Sequence, residues 1–124
     1  FIRGMLKNKW GRIVNISSVV ASTGNPGQSN YVAAKSALNG LTKSLALEVA
    51  TRGVTVNSIS PGFIDTAMTA KLTDDQKRKI TEKIPMGKMG TGEDISSLVS
   101  FLVSNEAGYI TGQNIHVNGG LFLR

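Results

Sequence analysis

The chain has 124 residues, of which 40% are hydrophobic and 18% charged, and this composition predicts a globular chain of at most one ordinary domain. It has no Cys and one His, so we predict no disulfide and no metal site, and a reducing compartment such as the cytoplasm. The net charge of +6 comes without a zinc-finger or RNA-recognition signature, so we predict no nucleic-acid partner. No apolar run approaches the roughly 18 residues of a membrane span, so we also predict no membrane partner.

Three elements are predicted in the first half of the chain. The opening FIRGMLKNK is typical of the end of an amphipathic helix that stops near Gly11. A short strand follows at 12–17, RIVNIS, and the turn-rich loop STGNPGQ separates it from the next helix. That helix is expected to be capped by Ser29 or Asn30 and to run to about Thr51. Its inner side is predicted to carry Ala34, Ala37, Leu38, Leu41, Leu45 and Val49.

The second half of the chain continues the alternation of strand and helix. Gly53 ends the long helix, and VTVNSIS at 54–60 is predicted to be a strand. The sequence PGFIDTAMTAKL then predicts a loop and a short helix, because Pro and Gly interrupt the strand. Two further helices are predicted at about 73–82 and 92–104, and QNIHV is predicted to be the last strand.

This order of elements predicts an α/β fold. Strands joined through helices run parallel, and the helices then lie on both faces of the sheet. Only three strands are predicted, however, and a three-stranded parallel sheet would leave an edge open. The chain also opens on Phe1 in the middle of a helical pattern, so we expect about half a domain, with more chain upstream.

The stretch NYVAAK places a phenol and an ammonium one helical turn apart, at Tyr31 and Lys35. Alone, this pair is equally typical of a helix surface. Ser18 lies 13 residues before Tyr31, at the end of the first strand, where open parallel sheets place their functional groups. The three residues therefore form a candidate Ser, Tyr and Lys catalytic set, in which neighbouring Ser17 is the less favoured serine.

Four segments, VNISS, YVAAK, NSISPGFIDT and ITGQNIHVNGG, resemble the short-chain dehydrogenase/reductase family in order and spacing. Within that family, the chain is most similar to the 3-oxoacyl-[acyl-carrier-protein] reductases. The resemblance implies a Rossmann-like, doubly wound parallel sheet of which residues 1–124 form the C-terminal half, with the N-terminal cofactor-binding half absent. It also implies NADPH-dependent reduction of 3-oxoacyl-[acyl-carrier-protein] to the 3-hydroxyacyl form in fatty acid biosynthesis by the full-length enzyme.

The chemistry of ketone reduction explains the catalytic set that the resemblance implies. Hydride addition puts negative charge on the carbonyl oxygen, which a proton donor within hydrogen-bond reach must neutralise. Tyr31 is the expected donor, and the nearby Lys35 ammonium favours its phenolate form. By resemblance, Lys35 also binds the nicotinamide ribose, and Ser18 orients the substrate carbonyl.

The resemblance also assigns cofactor contacts to the segment PGFIDT. Pro61 and Gly62 are expected to shape the turn, the Ile64 backbone to meet the nicotinamide carboxamide, and Thr66 to approach the carboxamide or the pyrophosphate. The family's glycine-rich phosphate loop, its selector between NADH and NADPH and a catalytic Asn belong upstream of this sequence. We therefore expect the 124-residue chain alone to be inactive.

Two kinds of partner follow from the resemblance. Lys9 and Arg52 match positions at which these reductases dock the acidic carrier protein. The family commonly forms homotetramers, so we expect the helix around Leu38 to Leu45 to pack against a second copy, and Phe122 or Leu123 to be buried against another subunit. Two alternatives stay open: another dehydrogenase of the family that acts on a small alcohol or sugar, or a non-catalytic chain that only binds or assembles.

Overall fold

A computed structural model describes residues 1–123 of the chain. Along these residues the strands are separated by helices, as the sequence predicts. The helices are α1 (Ile2–Asn8), α2 (Val20–Thr23), α3 (Ser29–Val49), α4 (Asp74–Thr81) and α5 (Gly92–Leu102). The strands are β1 (Gly11–Ile16), β2 (Val54–Pro61) and β3 (Asn114–Val117), and short 3-10 turns lie at Ala50–Arg52 and Thr69–Lys71.

The three strands form one parallel sheet in the order β1-β2-β3. Gly11 pairs with Val54 at one end of the β1–β2 ladder, and Ser58 pairs with Asn114 at the start of the β2–β3 ladder. Residues 54–60 of the central strand are all buried, as expected for a parallel strand covered on both faces. The fold class is therefore confirmed: an α/β chain with a three-stranded parallel sheet, consistent with part of a Rossmann-like fold.

Helices cover both faces of this sheet. Side chains along β2 point alternately to opposite faces, so Val56 and Ile59 belong to different cores. Val56 packs with Ala46 of α3 and with the apolar side of α1. Ile59 packs on the other face with Leu102 of α5 and with Ala107.

The α3 face of the sheet becomes polar toward the carboxyl ends of the strands. The side-chain amide of Asn15 donates to the Thr42 hydroxyl over 2.9 Å, which links β1 to α3. The Ser58 hydroxyl shares its one proton between the side-chain oxygens of Asn39 of α3, at 3.2 Å, and Asn114 of β3, at 3.1 Å. Hydrogen-bonding side chains therefore replace aliphatic packing beneath the middle of α3, and each polar pair fixes the helix over a particular strand residue.

This polar layer explains why the predicted inner side of α3 is partly wrong. Ala34, Ala37 and Leu41 are exposed, whereas the buried positions of the helix are Thr42, Ala46 and Val49. The predicted cap is also wrong, because the N-cap residue is Gln28 and it makes no side-chain cap bond. Helices α1, α4 and α5 agree with the sequence prediction within one or two residues, whereas α2 was not predicted and the short helix expected after Pro61 is the 3-10 turn Thr69–Lys71.

Candidate active site

The carboxyl end of β1 forms one wall of the candidate site. The pairing with β2 continues beyond the strand, since the Ser17 amide donates to the Ile59 carbonyl over 2.7 Å and the Val19 amide donates to the Pro61 carbonyl over 2.9 Å. Ser18 lies between these two anchored residues and is half-buried. Its hydroxyl accepts a hydrogen bond from the Val20 amide over 3.4 Å, at the start of α2.

Tyr31 and Lys35 lie on the first turns of α3, as predicted. The Lys35 ammonium lies 5.7 Å from the centroid of the Tyr31 ring, within the range of a cation–π contact. It also donates to the Ile16 carbonyl at the end of β1 over 2.8 Å. Tyr31 is 43% exposed, so its phenol can meet a ligand. The structure thus brings Lys35 beside Tyr31 and joins it to the strand that leads into Ser18.

Ser17, the less favoured serine of the sequence pattern, is a functional candidate in the structure. Its side chain is buried and donates to the backbone carbonyl of Lys35 over 3.0 Å. Because strand residues alternate between faces, the alternation that directs Asn15 toward α3 also directs Ser17 there. That alternation is the signal in the sequence that could have identified this contact.

The segment after β2 lies at the same end of the sheet. Gly62 donates its amide to the Val117 carbonyl over 2.9 Å, and a Cβ on Gly62 would lie 2.7 Å from the Cβ of Asn118. Only glycine therefore fits this close passage without a shift of the neighbouring chain. Thr66 is exposed, and its amide is held by the Thr69 hydroxyl over 2.8 Å.

Ile64 is held by a parallel bridge to Gly90. In this bridge the Asp65 amide donates to the Gly90 carbonyl over 2.8 Å, and the Gly90 amide donates to the Phe63 carbonyl over 3.0 Å. The bridge uses the polar groups on either side of Ile64, so its own amide and carbonyl make no hydrogen bond within residues 1–123. The segment is thus anchored while the Ile64 backbone stays available to a ligand.

The loop that holds Ile64 also adjoins a cavity of about 220 Å³ lined by Met86, Met89, Asp94 and Asn118 among others. Asp94 completes the capping box of α5 with the N-cap residue Thr91, because its carboxylate accepts from the Thr91 amide over 2.7 Å and from the Thr91 hydroxyl over 3.0 Å. These hydrogen bonds, together with the nearby Lys88 charge, lower the pKa of Asp94. The capping box therefore holds one side of this loop in place.

The two residues predicted to dock a carrier protein lie at one corner, away from β1's carboxyl end. Lys9 ends α1 in the left-handed conformation, with φ of 51°, and a Cβ on Gly53 would collide with its carbonyl. Arg52 donates to the Leu6 carbonyl of α1 over 2.9 Å. Both side chains are exposed, on chain segments that meet at this corner.

Residues 1–123 contain no group of three or more His, Cys, Asp or Glu side chains able to hold a metal ion. Nor does any helix in this part of the chain have the length and apolar character needed to cross a membrane. His116 packs against Phe122, with ring centroids 4.9 Å apart.

Comparison with known proteins gives one family and a set of close relatives. A family model described as enoyl-(acyl carrier protein) reductase matches residues 1–122. A 3-oxoacyl-[acyl-carrier-protein] reductase of Rickettsia bellii is 57% identical over 98% of this chain and 51% of its own length, and one of Haemophilus influenzae is 58% identical over 98% and 50%. Nodulation protein G of a Rhizobium species is 57% identical over 94% and 48%. The chain spans about half the length of these curated relatives.

Proposed function

Since the chain belongs to the short-chain dehydrogenase/reductase family, matched over residues 1–122, we propose that it is the C-terminal half of a 3-oxoacyl-[acyl-carrier-protein] reductase. The complete protein would use NADPH to reduce the 3-oxo group in the cytoplasm, as a step of fatty acid biosynthesis. The observation that carries the proposal is the Lys35 ammonium, which contacts both the Tyr31 ring and the end of β1. A cation this close to the phenol supports a tyrosine acid, because positive charge stabilises the phenolate that proton transfer leaves.

The proposed mechanism assigns one task to each of three side chains. NADPH, when bound, would supply a hydride to the substrate's carbonyl carbon. The Tyr31 hydroxyl gives its proton to the carbonyl oxygen, which becomes the alcohol, and the nearby Lys35 charge stabilises the phenolate that is left. Ser18 donates a hydrogen bond to the same oxygen and orients the carbonyl for attack. A proton from solvent then restores Tyr31.

The segment after β2 fits the nicotinamide end of the cofactor. A carboxamide is both a donor and an acceptor, and the Ile64 backbone offers both an amide and a carbonyl without a hydrogen bond in residues 1–123. Pro61 and Gly62 form the turn that leads from β2 into this segment. The exposed Thr66 hydroxyl would bind the carboxamide or the pyrophosphate. Lys35 would hold the nicotinamide ribose. The adenine end would be held by the upstream half of the protein.

The basic surface of Lys9 and Arg52 supports an acidic protein partner. The exposed charges sit on adjoining chain segments, joined by the Arg52 bond to α1, so they present one patch to a docking helix or loop. Complementary charge on such a patch raises the rate of encounter and is weakened by salt. We assign this patch to the acyl carrier protein that delivers the substrate.

The outer side of α3 supports assembly into a homotetramer. Leu41 is 52% exposed there, next to the exposed small residues Ala34 and Ala37, so a second helix could approach closely. Leu123 is also largely exposed at the end of the described chain. We propose that α3 pairs with its symmetry mate and that Leu123 or Phe122 is covered by another subunit.

Turnover by the complete gene product tests the proposed function. We expect NADPH-dependent reduction of acetoacetyl thioesters, no turnover of sugars or polyols, and no activity from the 124-residue chain alone. Preference for a sugar or small alcohol would assign the protein to another dehydrogenase of the family. Failure of the complete protein to bind any nicotinamide cofactor would instead support a non-catalytic role.

A further inference from the structure

Two consecutive residues at the end of β1 contact Lys35 of α3, and the proposed catalytic serine follows them. The Ile16 carbonyl accepts from the Lys35 ammonium over 2.8 Å, and the Ser17 hydroxyl donates to the Lys35 carbonyl over 3.0 Å. Ser18 follows directly. We propose that Ser17 is a positioning residue that fixes Lys35, and with it the turn of α3 that carries Tyr31, against the strand end that carries Ser18.

Ser17 can hold this position because it is itself fixed. Its side chain is 3% exposed, and its amide donates to the Ile59 carbonyl of the central strand over 2.7 Å. Lys35 is therefore held at both ends, through its backbone by Ser17 and through its ammonium by Ile16. A lysine side chain that is held at both ends has few accessible rotamers, so its charge stays beside the Tyr31 ring.

The Ser17 hydroxyl contributes more to the position of α3 than to the stability of the fold. Inside the helix, the Lys35 carbonyl already accepts a hydrogen bond from the backbone amide four residues later. The Ser17 hydroxyl donates to the second lone pair of that carbonyl oxygen. Removing the hydroxyl thus leaves no buried carbonyl without a donor. The protein should fold without it, while α3 gains freedom to shift relative to β1.

A second bond between the same strand and the same helix provides a matched control. The Asn15 amide donates to the Thr42 hydroxyl over 2.9 Å, about two helical turns beyond Lys35. Replacing Thr42 by the similarly shaped Val removes a strand-to-helix bond that is remote from Tyr31. A general loosening of α3 would affect both variants, whereas a positioning role would affect only the variant at Ser17.

The test compares Ser17→Ala and Thr42→Val in the complete gene product, and its kinetic part rests on the proposed function. We expect Ser17→Ala to lower kcat about tenfold with KM for the keto thioester nearly unchanged, and Thr42→Val to change kcat less than about twofold. Crystal structures of the wild-type protein and Ser17→Ala should show the distance from Lys35 Nζ to the Ile16 carbonyl lengthened beyond about 3.5 Å.

Either of two results would overturn the positioning role: equal kinetic losses in both variants, or an unchanged Lys35 position in the Ser17→Ala crystal structure. If the wild-type protein reduces no ketone, the proposed function fails by itself. The crystallographic comparison of Lys35 then decides the role of Ser17 without reference to turnover.

Discussion

Adding a single methyl group at Gly62 should strain the joint between the central strand and the proposed cofactor segment. A Cβ at this position would lie 2.7 Å from the Cβ and 2.9 Å from the Cα of Asn118. Ordinary carbon contacts lie at about 3.5–4.0 Å, so the two chain segments must separate by close to 1 Å. The Asn118 Cα is a main-chain atom and its Cβ is fixed to it, so no rotation of the side chain can relieve the contact.

The expected cost follows from this geometry. Overpacking of a close-packed site costs about 1–3 kcal/mol, and separation of the segments also stretches the 2.9 Å bond from the Gly62 amide to Val117. For a protein about twice the length of this chain, each kcal/mol lowers Tm by roughly 2–4 °C, so Gly62→Ala should lower Tm by about 2–12 °C. The affinity for the nicotinamide cofactor should fall as well, since Ile64 follows two residues later.

Thermal unfolding of the complete protein, followed by circular dichroism, measures this effect. Gly92→Ala is the matched control, because a Cβ at Gly92, the first residue of α5, meets nothing within 4 Å. There Ala should leave Tm unchanged or raise it slightly, since Ala is the better helix former. Equal Tm values for Gly62→Ala and the wild-type protein would refute the steric argument.

Three further outcomes are expected. Tyr31→Phe should reduce kcat severely with little loss of cofactor affinity, because it removes only the proton donor, and an unchanged rate would reject that role. Lys9→Glu combined with Arg52→Glu should slow the reduction of carrier-bound substrate more than that of a small thioester, and added salt should reduce this difference. Equal slowing of both substrates would show that Lys9 and Arg52 do not dock the carrier protein. Because hydrogen bonds from Thr91 hold the pKa of Asp94 below 3.8, its carboxylate stabilises the fold fully above that pH and loses the effect as the pH falls through the lower folded-state pKa. The difference in urea midpoint between the wild-type protein and Asp94→Asn should therefore shrink from about pH 7 to about pH 2.5, and a constant difference would contradict this reasoning.

Local sequence signals were sufficient to predict most elements and one part of the site. The β-branched residues of VTVNSIS mark β2, and the turn residues Pro61 and Gly62 mark its end. Helical geometry alone places Tyr31 and Lys35 on one side of α3, because residues four apart are neighbours on a helix surface. These features depend on residues close in the chain, and such signals can be read without knowledge of the tertiary fold.

The remaining features depend on which distant segments meet. Leu41 looks like a core residue from its place in the helical pattern, but the strands present polar side chains beneath α3, and Thr42 faces the sheet instead. The bridge between Ile64 and Gly90 joins two loops whose sequences carry no sign of pairing. The hydrogen bond from Lys35 to the Ile16 carbonyl also cannot be predicted from the sequence, since every residue type has the same backbone carbonyl group.

The parallel arrangement of the strands also has a kinetic consequence. Ser58 and Asn114 are hydrogen-bonded neighbours in the sheet but lie 56 residues apart in the chain, and closing a loop of that length costs about 3.5 kcal/mol in entropy before any contact is gained. The local contacts of α3 can form in microseconds, whereas strand docking is slow. During synthesis, the β3 side of β2 therefore stays unpaired until the last strand has been made. Variants that delay docking should lose yield through aggregation before they lose stability.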